Sequence, residues 1–306
     1  MYNHRLQADD SHQEQLALAN RATARTQEER VIALGPGLTP IPERLLLAHA
    51  QGKVLFLAGA GISLPAGLPD FRDLVVRVYG RLDPMVHGII RDIPRTACNQ
   101  WLPNISGLND QQTAEVKRFI SGDYDVVLGM LERRFDSPNF EGRRVREEVR
   151  DQLLHRGIKP AGIHKTLVRL ADRGGATAIA TTNFDLLLED AARQMRTDVQ
   201  SYSLGSIPRP GLRRDFAGIF HIHGALERDI KKISDLIISD RDFGEFYLRR
   251  RVVPDFIYDA ARLYHLVLIG YSANDPPMRY LFNAVAADGT RFNDLKERFT
   301  FFGTSA

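Results

Sequence analysis

Four short apolar runs, each followed at once by a polar or glycine-containing loop, constrain the fold of this chain more than any other feature. Unbroken apolar runs of this length are typical of strands buried on both faces, as in a parallel sheet. Helical patterns follow two of the loops, at residues 186–193 and from Pro277. The repeated order of strand, loop and helix predicts an α/β fold, a Rossmann-like doubly wound parallel sheet. The four apolar runs are residues 53–58, 176–181, 219–222 and 265–269.

The stretch between the first two runs, about residues 83–159, is almost wholly helical in pattern. Leu128, Leu131 and Phe135 recur at helical spacing, and so do the apolar residues at 145, 149, 153 and 154. The stretch is too long for one crossover helix, so it predicts a helical subdomain inserted above the edge of the sheet. Residues 1–42 are polar and end in glycine and proline breakers, which predicts an N-terminal arm or linker before a main domain at 43–306.

The composition of the 306 residues, 43% hydrophobic and 26% charged, is ordinary for a globular protein. The net charge of +3 is too small to indicate nucleic-acid binding. Cys98 is the only cysteine, which excludes an internal disulfide and a multi-cysteine zinc ribbon. No secretory leader and no apolar run of membrane-spanning length is present, so we expect a cytoplasmic protein without membrane contact.

The loop after the first run contains Gly59, Ala60 and Gly61. Glycines at this place let the backbone turn sharply and approach a phosphate, and the N-terminus of a following helix would supply free amide donors. The ordinary dinucleotide fingerprint fails, because it requires glycine where this chain has Leu64. No P-loop lysine follows either. The loop therefore predicts a nucleotide site of neither common type.

The residues that follow this loop resemble the sirtuin family. The glycine pair continues through Ser63 to a Pro-Asp-Phe-Arg sequence that ends in Asp70, Phe71 and Arg72, as in the sirtuin pattern GAG-x-S-x-x-x-G-[IL]-P-D-F-R. Three further motifs follow in the family's order, each after a predicted strand, so that the resemblance covers about residues 43–302. These motifs are Thr182-Asn183-Phe184-Asp185, similar to T-Q-N-x-D; His223-Gly224, similar to the catalytic His-Gly pair; and Gly270-Tyr271-Ser272, similar to the G-T-S loop.

The resemblance to sirtuin deacylases is less complete than the resemblance to another branch. Deacylating sirtuins usually carry a four-cysteine zinc module between the His-Gly motif and the G-T-S motif, and this chain has no cysteine there. The motifs more closely resemble those of the sirtuin-like NAD hydrolases of bacterial antiphage defence, whose last motif reaches an aspartate, here Asp275. That resemblance implies NAD as substrate, no zinc, and the possibility of a separate ATPase or nucleic-acid-sensing partner protein.

The chemistry expected at such a site is cleavage of the bond between nicotinamide and ribose C1′, through an oxocarbenium-like state. Asn183 offers both a donor and an acceptor to ribose hydroxyls or to water, and His223 is expected to accept a proton near neutral pH. The resemblance implies that Asp70 and Arg72 close over the nicotinamide ribose while Phe71 shields the reactive carbon. It also implies that Ser272 and the backbone of residues 59–62 hold the phosphates and the adenosine half. The remaining cofactor-binding residues expected from the motifs are Ser63, Thr182, Asp185, Gly270 and Asp275.

Plainer explanations exist for several of these residues. Asn183, Asp185 and Asp275 can each cap or stabilise the start of a helix, and Arg72 can be a surface charge. His221 shares a strand face with His223 and can support it from behind. A His-x-His pair also suggests a metal, but no further ligand is evident nearby, so no metal site is expected.

Taken together, the motifs predict an NAD hydrolase that gives nicotinamide and ADP-ribose and acts as the effector of a bacterial defence system. Two alternatives stay open: a zinc-free NAD-dependent deacylase or ADP-ribosyltransferase, and a non-catalytic nucleotide-binding module. The polar arm and the helical subdomain suggest a homo-oligomer. The last predicted strand ends near Ala306 without a covering helix, so we expect either a longer reading frame or a partner that completes the sheet.

Overall fold

The first strands of the chain lie in a small unit of their own. The computed structural model describes residues 30–95, 104–135, 143–154, 157–172, 177–211, 216–226, 235–271, 276–288 and 295–301, and divides the chain into the units Met1–Lys53 and Val54–Ala306. In the first unit, β1 (Val31–Ile32) pairs antiparallel with β2 (Ile41–Pro42), and α1 (Glu43–Ala50) follows directly.

The second unit is built on a parallel sheet of six strands in the described part of the chain. The sheet order is β5-β6-β4-β3-β7-β8, and every neighbouring pair is parallel. The predicted fold class is thereby confirmed. The two-residue strand β5 is not predicted by the sequence, because it contains no apolar run. The strands are β3 (Val54–Ala58), β4 (Ala178–Thr181), β5 (Ser201–Tyr202), β6 (Gly218–His221), β7 (His265–Ile269) and β8 (Arg298–Phe301).

Helices of the second unit either form a separate layer or cover the sheet. The separate layer contains α2 (Phe71–Leu82), α3 (Pro84–Ile90), α4 (Asp110–Ile120), α5 (Tyr124–Phe135) and α6 (Arg144–Leu153). The remaining helices are α7 (Gly162–Ala171), α8 (Leu187–Gln194), α9 (Asp240–Phe243), the π-helix Gly244–Arg249, α10 (Val252–Leu263) and α11 (Pro276–Asp288).

Alternate residues of each strand enter different cores, as the pleat of a sheet requires. Leu55, Leu57, Phe220 and Leu266 pack in one cluster with apolar residues of α10 and α11. The residues between them point to the opposite face, where α7 contacts both β3 and β4. Burial on both faces explains why the strands are apolar throughout.

The helical layer has its own core, and its members come from the periodic pattern in the sequence. Leu128, Leu131, Val145 and Val149 are fully buried there, together with residues of α2, α3 and α4. Leu154, which also fits the helical spacing, lies just past the end of α6 and is exposed. The layer begins at α2, so the loop after β3 leads directly into it.

The central strand β3 lies between β4 and β7, so the chain runs to one side of β3 first and to the other side later. This reversal of strand order is the switch point at which open α/β sheets bind ligands, beyond the carboxyl ends of the strands. The loops after β3, β4, β6 and β7 meet there.

Candidate functional site

A cavity of about 510 Å³ lies at the carboxyl ends of β3, β4, β6 and β7, beneath the helical layer. This volume is within the range of pockets that bind small molecules and cofactors. The lining includes the predicted site residues Ala60, Gly61, Ser63, Asp70, Phe71, Arg72, Thr182, Asn183, Asp185, His223 and Gly270. The structure therefore brings residues from all four motifs around one cavity.

The two glycines of the first loop are required by packing within the protein. A Cβ on Gly59 would lie 2.8 Å from the carbonyl oxygen of Gly270, and one on Gly61 would lie 2.7 Å from the same atom. Gly270 has a φ of +63°, and a Cβ there would lie 2.6 Å from the nitrogen of Ile62. The loops after β3 and β7 therefore interlock at their glycines.

The same contacts occupy most of the amides that the sequence suggests for phosphate binding. The N–H groups of Gly59 and Gly61 donate to the carbonyls of Ile269 and Gly270, at 3.0 and 2.8 Å. Those of Ile62 and Ser63 donate to carbonyls within the loop, because the loop forms 3₁₀ turns rather than the start of an α-helix. The amides of Gly59, Gly61 and Ile62 thus already donate within the protein, and phosphate binding by the backbone of residues 59–62 stays a prediction.

Two hydrogen bonds fix the orientation of the Asn183 side chain in the cavity. Its Nδ2 donates to the carbonyl of Gly59 and to Ser63 Oγ, both at 3.1 Å. A carbonyl only accepts, so these bonds settle which side-chain atom is nitrogen. The carbonyl oxygen Oδ1 of Asn183 has no hydrogen bond among the described residues. Asn183 does not cap α8, whose first amide is bound by Asp185 instead.

Ser63 joins Asn183 to a buried group of polar side chains. Its hydroxyl donates to Asp185 Oδ2 at 2.8 Å and lies 3.4 Å from Nε2 of His164, a fully buried residue of α7. The amide of Ala161 donates to His164 Nδ1, so Nε2 of the neutral ring carries the proton and donates to Ser63. A histidine that donates to the serine cannot take its proton, so this Ser-His-Asp group is not a hydrolase triad.

Burial shifts the titration of this group. Removal from water raises the pKa of the Asp185 carboxyl, although Ser63 and Leu187 donate to it. Burial lowers the pKa of His164, which favours its neutral form. Asp185 thus binds both a helix amide and the site serine, so the capping role and the site role coexist.

His223 lies at the wall of the cavity with its Nε2 2.6 Å from the hydroxyl of Tyr247, on the π-helix. The aromatic rings of Phe243 and Tyr247 meet it edge to face. Burial lowers the pKa of His223 to about 3, which differs from the expectation of titration near neutral pH. The imidazole is therefore neutral across the physiological range.

His221 does not support His223, as its position on the strand suggested, but supports Asn183. Its Nδ1 lies 2.9 Å from the carbonyl oxygen of Asn183, and its Nε2 lies 2.7 Å from Glu189 Oε1 on α8. Burial alone would lower the pKa of His221, but the hydrogen bond and the charge of Glu189 outweigh it and raise that pKa. His221 lies in a layer below the cavity.

Asp70 and Arg72 of the first motif are held at the other wall by residues outside the motif. Asp70 caps α2 by accepting the amide of Asp73, and both carboxylates pair with Arg95. The Arg72 guanidinium donates to the carbonyl of Ile93 and lies over the ring of Phe119. Its side chain is only 12% exposed, so Arg72 is not a surface charge.

The sequence does not predict several of the residues that line the cavity. Two predicted site residues, Ser272 and Asp275, lie outside the described residues. The residues that were missed include Arg95, Tyr124, Asp125 and Phe243 in the lining and His164, Glu189 and Tyr247 behind it. His164 had a detectable signal, since it is a polar residue on the apolar stripe of α7. The others depend on tertiary contacts that no local pattern reveals.

The described residues contain no group of three or more His, Cys, Asp or Glu side chains arranged to hold a metal ion. Within the described ranges, no helix combines the length and the apolar character needed to cross a membrane.

Comparison with known proteins gives two matches. The chain is 34% identical over 274 residues to a protein of Sinorhizobium fredii (strain NBRC 101917 / NGR234) named uncharacterized protein y4cA. The alignment covers 87% of this chain but only 20% of the relative, so the chain spans about a fifth of that protein's length. Residues 177–304, which include Asn183 and His223, match the family model of the SIR2-like domain. Residues 177–304 therefore resemble a SIR2-like domain, a type of domain that is typical of NAD-dependent enzymes.

Proposed function

We propose that this chain hydrolyses NAD to nicotinamide and ADP-ribose, and that it does so as the effector of a bacterial antiphage defence system. The observation that carries the catalytic part is the fixed orientation of Asn183. Its amide nitrogen is held by Gly59 and Ser63, so its carbonyl oxygen is the atom left to accept a hydrogen bond from a ribose hydroxyl or from water. The defence role and a partner ATPase or nucleic-acid sensor rest on the motif resemblance.

The reaction needs a hold on the ribose, a positioned water and a place for one proton. The C1′–N bond breaks with its electron pair going to nicotinamide, and water then bonds to C1′ and releases a proton. Nicotinamide in NAD is a good leaving group, so this step needs no strong acid. Asn183 would orient the ribose or the water.

His223 would take the proton from water. A neutral imidazole is the form that a general base requires, and burial keeps His223 in that form. It is a weak base, but attack on an oxocarbenium-like carbon does not require a strong one. The negative charge of a bound pyrophosphate would also favour the protonated ring while the proton is transferred.

An NAD-consumption assay without any acylated peptide tests the proposal. Wild type should release nicotinamide and ADP-ribose from NAD alone, which a deacylase would not do. Asn183→Ala should reduce kcat by roughly 100-fold or more, since it removes the oriented acceptor. Ser121→Ala, which changes an exposed hydroxyl on the helical layer, is the matched control and should leave turnover unchanged. NAD binding without turnover by wild type would instead identify a regulatory nucleotide-binding module.

A further inference from the structure

A buried charged pair lies directly beneath Asn183, and the proposed reaction does not use it. We infer that His221 and Glu189 form a permanent ion pair that positions the backbone of Asn183, so that catalysis requires His221 in its protonated form. His221 touches no part of the cavity and is a positioning residue rather than a catalytic one. Only the expected effect of His221 on the rate of NAD hydrolysis rests on the proposed function.

The geometry itself indicates a doubly protonated imidazole. Nδ1 faces a backbone carbonyl oxygen, that of Asn183 at 2.9 Å, and Nε2 faces a carboxylate oxygen of Glu189 at 2.7 Å. Both partners are acceptors. A neutral histidine carries one N–H and would leave one of these contacts as two facing lone pairs. Only the imidazolium satisfies both, and His221 is fully buried, so water cannot replace either partner.

The surrounding charges support a cation at this place. Glu189 faces His221 from α8, and Asp185 lies within electrostatic reach from the loop after β4. The two other histidines of the site, His164 and His223, are held neutral by burial. His221 lowers the pKa of Glu189 in return, against the opposing effect of burial.

The pair belongs to a continuous chain of hydrogen bonds that ends at the glycine loop. Ser201 of the edge strand β5 donates to Glu189 Oε1 at 2.6 Å, the atom that also contacts His221. His221 holds the Asn183 carbonyl, and the Asn183 side chain binds the carbonyl of Gly59. A neutral His221 with its proton on Nε2, against the Glu189 carboxylate, would release the Asn183 carbonyl from its only side-chain donor among the described contacts. A small rotation there would move the amide that orients the ribose.

Glu189→Gln tests the charge while keeping an acceptor of the same shape for His221. The pKa of His221 should fall in this variant, and burial should then keep the ring neutral as it does for His223, so the kcat for NAD should drop roughly 10- to 100-fold at pH 8 and stay low at pH 6. KM should change less than kcat. Glu115→Gln is the matched control, because Glu115 is also largely removed from solvent but pairs with Arg134 in the helical layer. It should keep the wild-type pH profile.

If Glu189→Gln keeps the wild-type kcat at every pH from 6 to 8, the charge on His221 is not required, and that result would overturn the inference. Imidazole nitrogen chemical shifts of the labelled protein test the charge without any turnover. Both His221 nitrogens should show imidazolium shifts at pH 7.5, and a neutral pattern would refute the inference even if NAD is hydrolysed. If wild type fails to hydrolyse NAD, the proposed function fails. The Asn183 carbonyl shift, which should then differ between Glu189→Gln and wild type, still decides the positioning role.

Discussion

Ser63 uses all of its hydrogen-bonding capacity inside the protein. Its hydroxyl donates to Asp185 and accepts from Asn183 and His164. A hydroxyl has one donor and two acceptor sites, so none remains for a ligand. Ser63 therefore acts on substrate only through Asn183, whose side-chain orientation it helps to fix.

The neutrality of His223 has a consequence for stability that can be measured. In the unfolded chain its pKa is about 6.5, while burial lowers it to about 3 in the folded protein. At pH values between these two pKa values, His223 is protonated in the unfolded chain but not in the folded protein. Folding stability therefore falls as the pH falls. The free energy of unfolding should fall by up to about 1.4 kcal/mol per pH unit.

The comparison of wild type with His223→Gln isolates this effect, because all other titrating groups are shared. Urea unfolding at pH 7, 6 and 5 should show a steeper loss of stability for wild type than for the variant. Parallel profiles would mean that His223 titrates alike in both states and is not desolvated.

At the residue scale, the sequence predicts which residues line the cavity better than it predicts the contacts that those residues make. Asn183 and His223 line the cavity as the motifs suggested. The occupied amides of Gly61 and Ile62 and the contact of Arg72 with Ile93 were not predictable. Each depends on a backbone atom that the fold brings close, and such a partner leaves no mark in the local sequence.

At the element scale, Arg146 links the segment before the π-helix to the helical layer. Arg146 of α6 donates to the carbonyl of Leu236 at 2.8 Å and to both oxygens of Asp242. Asp242 also binds the amides of Ile238 and Ser239, so its position sets the turn into α9. This segment carries Ile237 and Phe243 into the lining of the cavity, which makes Arg146 a link between the layer and the site.

Arg146→Lys should therefore cost roughly 1–3 kcal/mol of unfolding free energy, because a single ammonium cannot reach both Leu236 and Asp242. The KM for NAD should rise as the lining loosens. Arg193→Lys is a suitable control, since the Arg193–Asp190 pair lies on the surface of α8 with the arginine 63% exposed. That control should change stability by less than about 0.5 kcal/mol. Equal effects of the two changes in urea unfolding would show that Arg146 makes no special link.

The elements themselves follow from the sequence because their cause is local. Apolar runs predict the strands, and 3.6-residue periodicity predicts the helices of the layer. The π-helix Gly244–Arg249 and the short strand β5 have no such signature. The first places Tyr247 on His223 and the second places Ser201 on Glu189. Two supports of the site thus come from the elements that are hardest to predict.

At the scale of the whole sheet, the interlock of Gly59, Gly61 and Gly270 joins the loops of two neighbouring strands, β3 and β7. A Cβ on residue 61 would meet two backbone atoms of Gly270 at 2.7 and 2.8 Å. Backbone atoms cannot turn away as a flexible side chain can, so β3 and β7 would have to separate at their carboxyl ends. This separation would disturb both the cavity and the pairing of the two strands.

Gly61→Ala should consequently destabilise the second unit by roughly 1–3 kcal/mol. Gly88→Ala provides the opposite case, since Gly88 lies in the helix α3 with no atom within 4 Å of its Cβ position. There the alanine should stabilise by roughly 0.5–1 kcal/mol, because it restricts the unfolded chain and adds no clash. Urea unfolding of both variants beside wild type measures the contrast in sign. If Gly61→Ala is as stable as wild type, the two loops can move apart freely, and the interlock does not hold the site together.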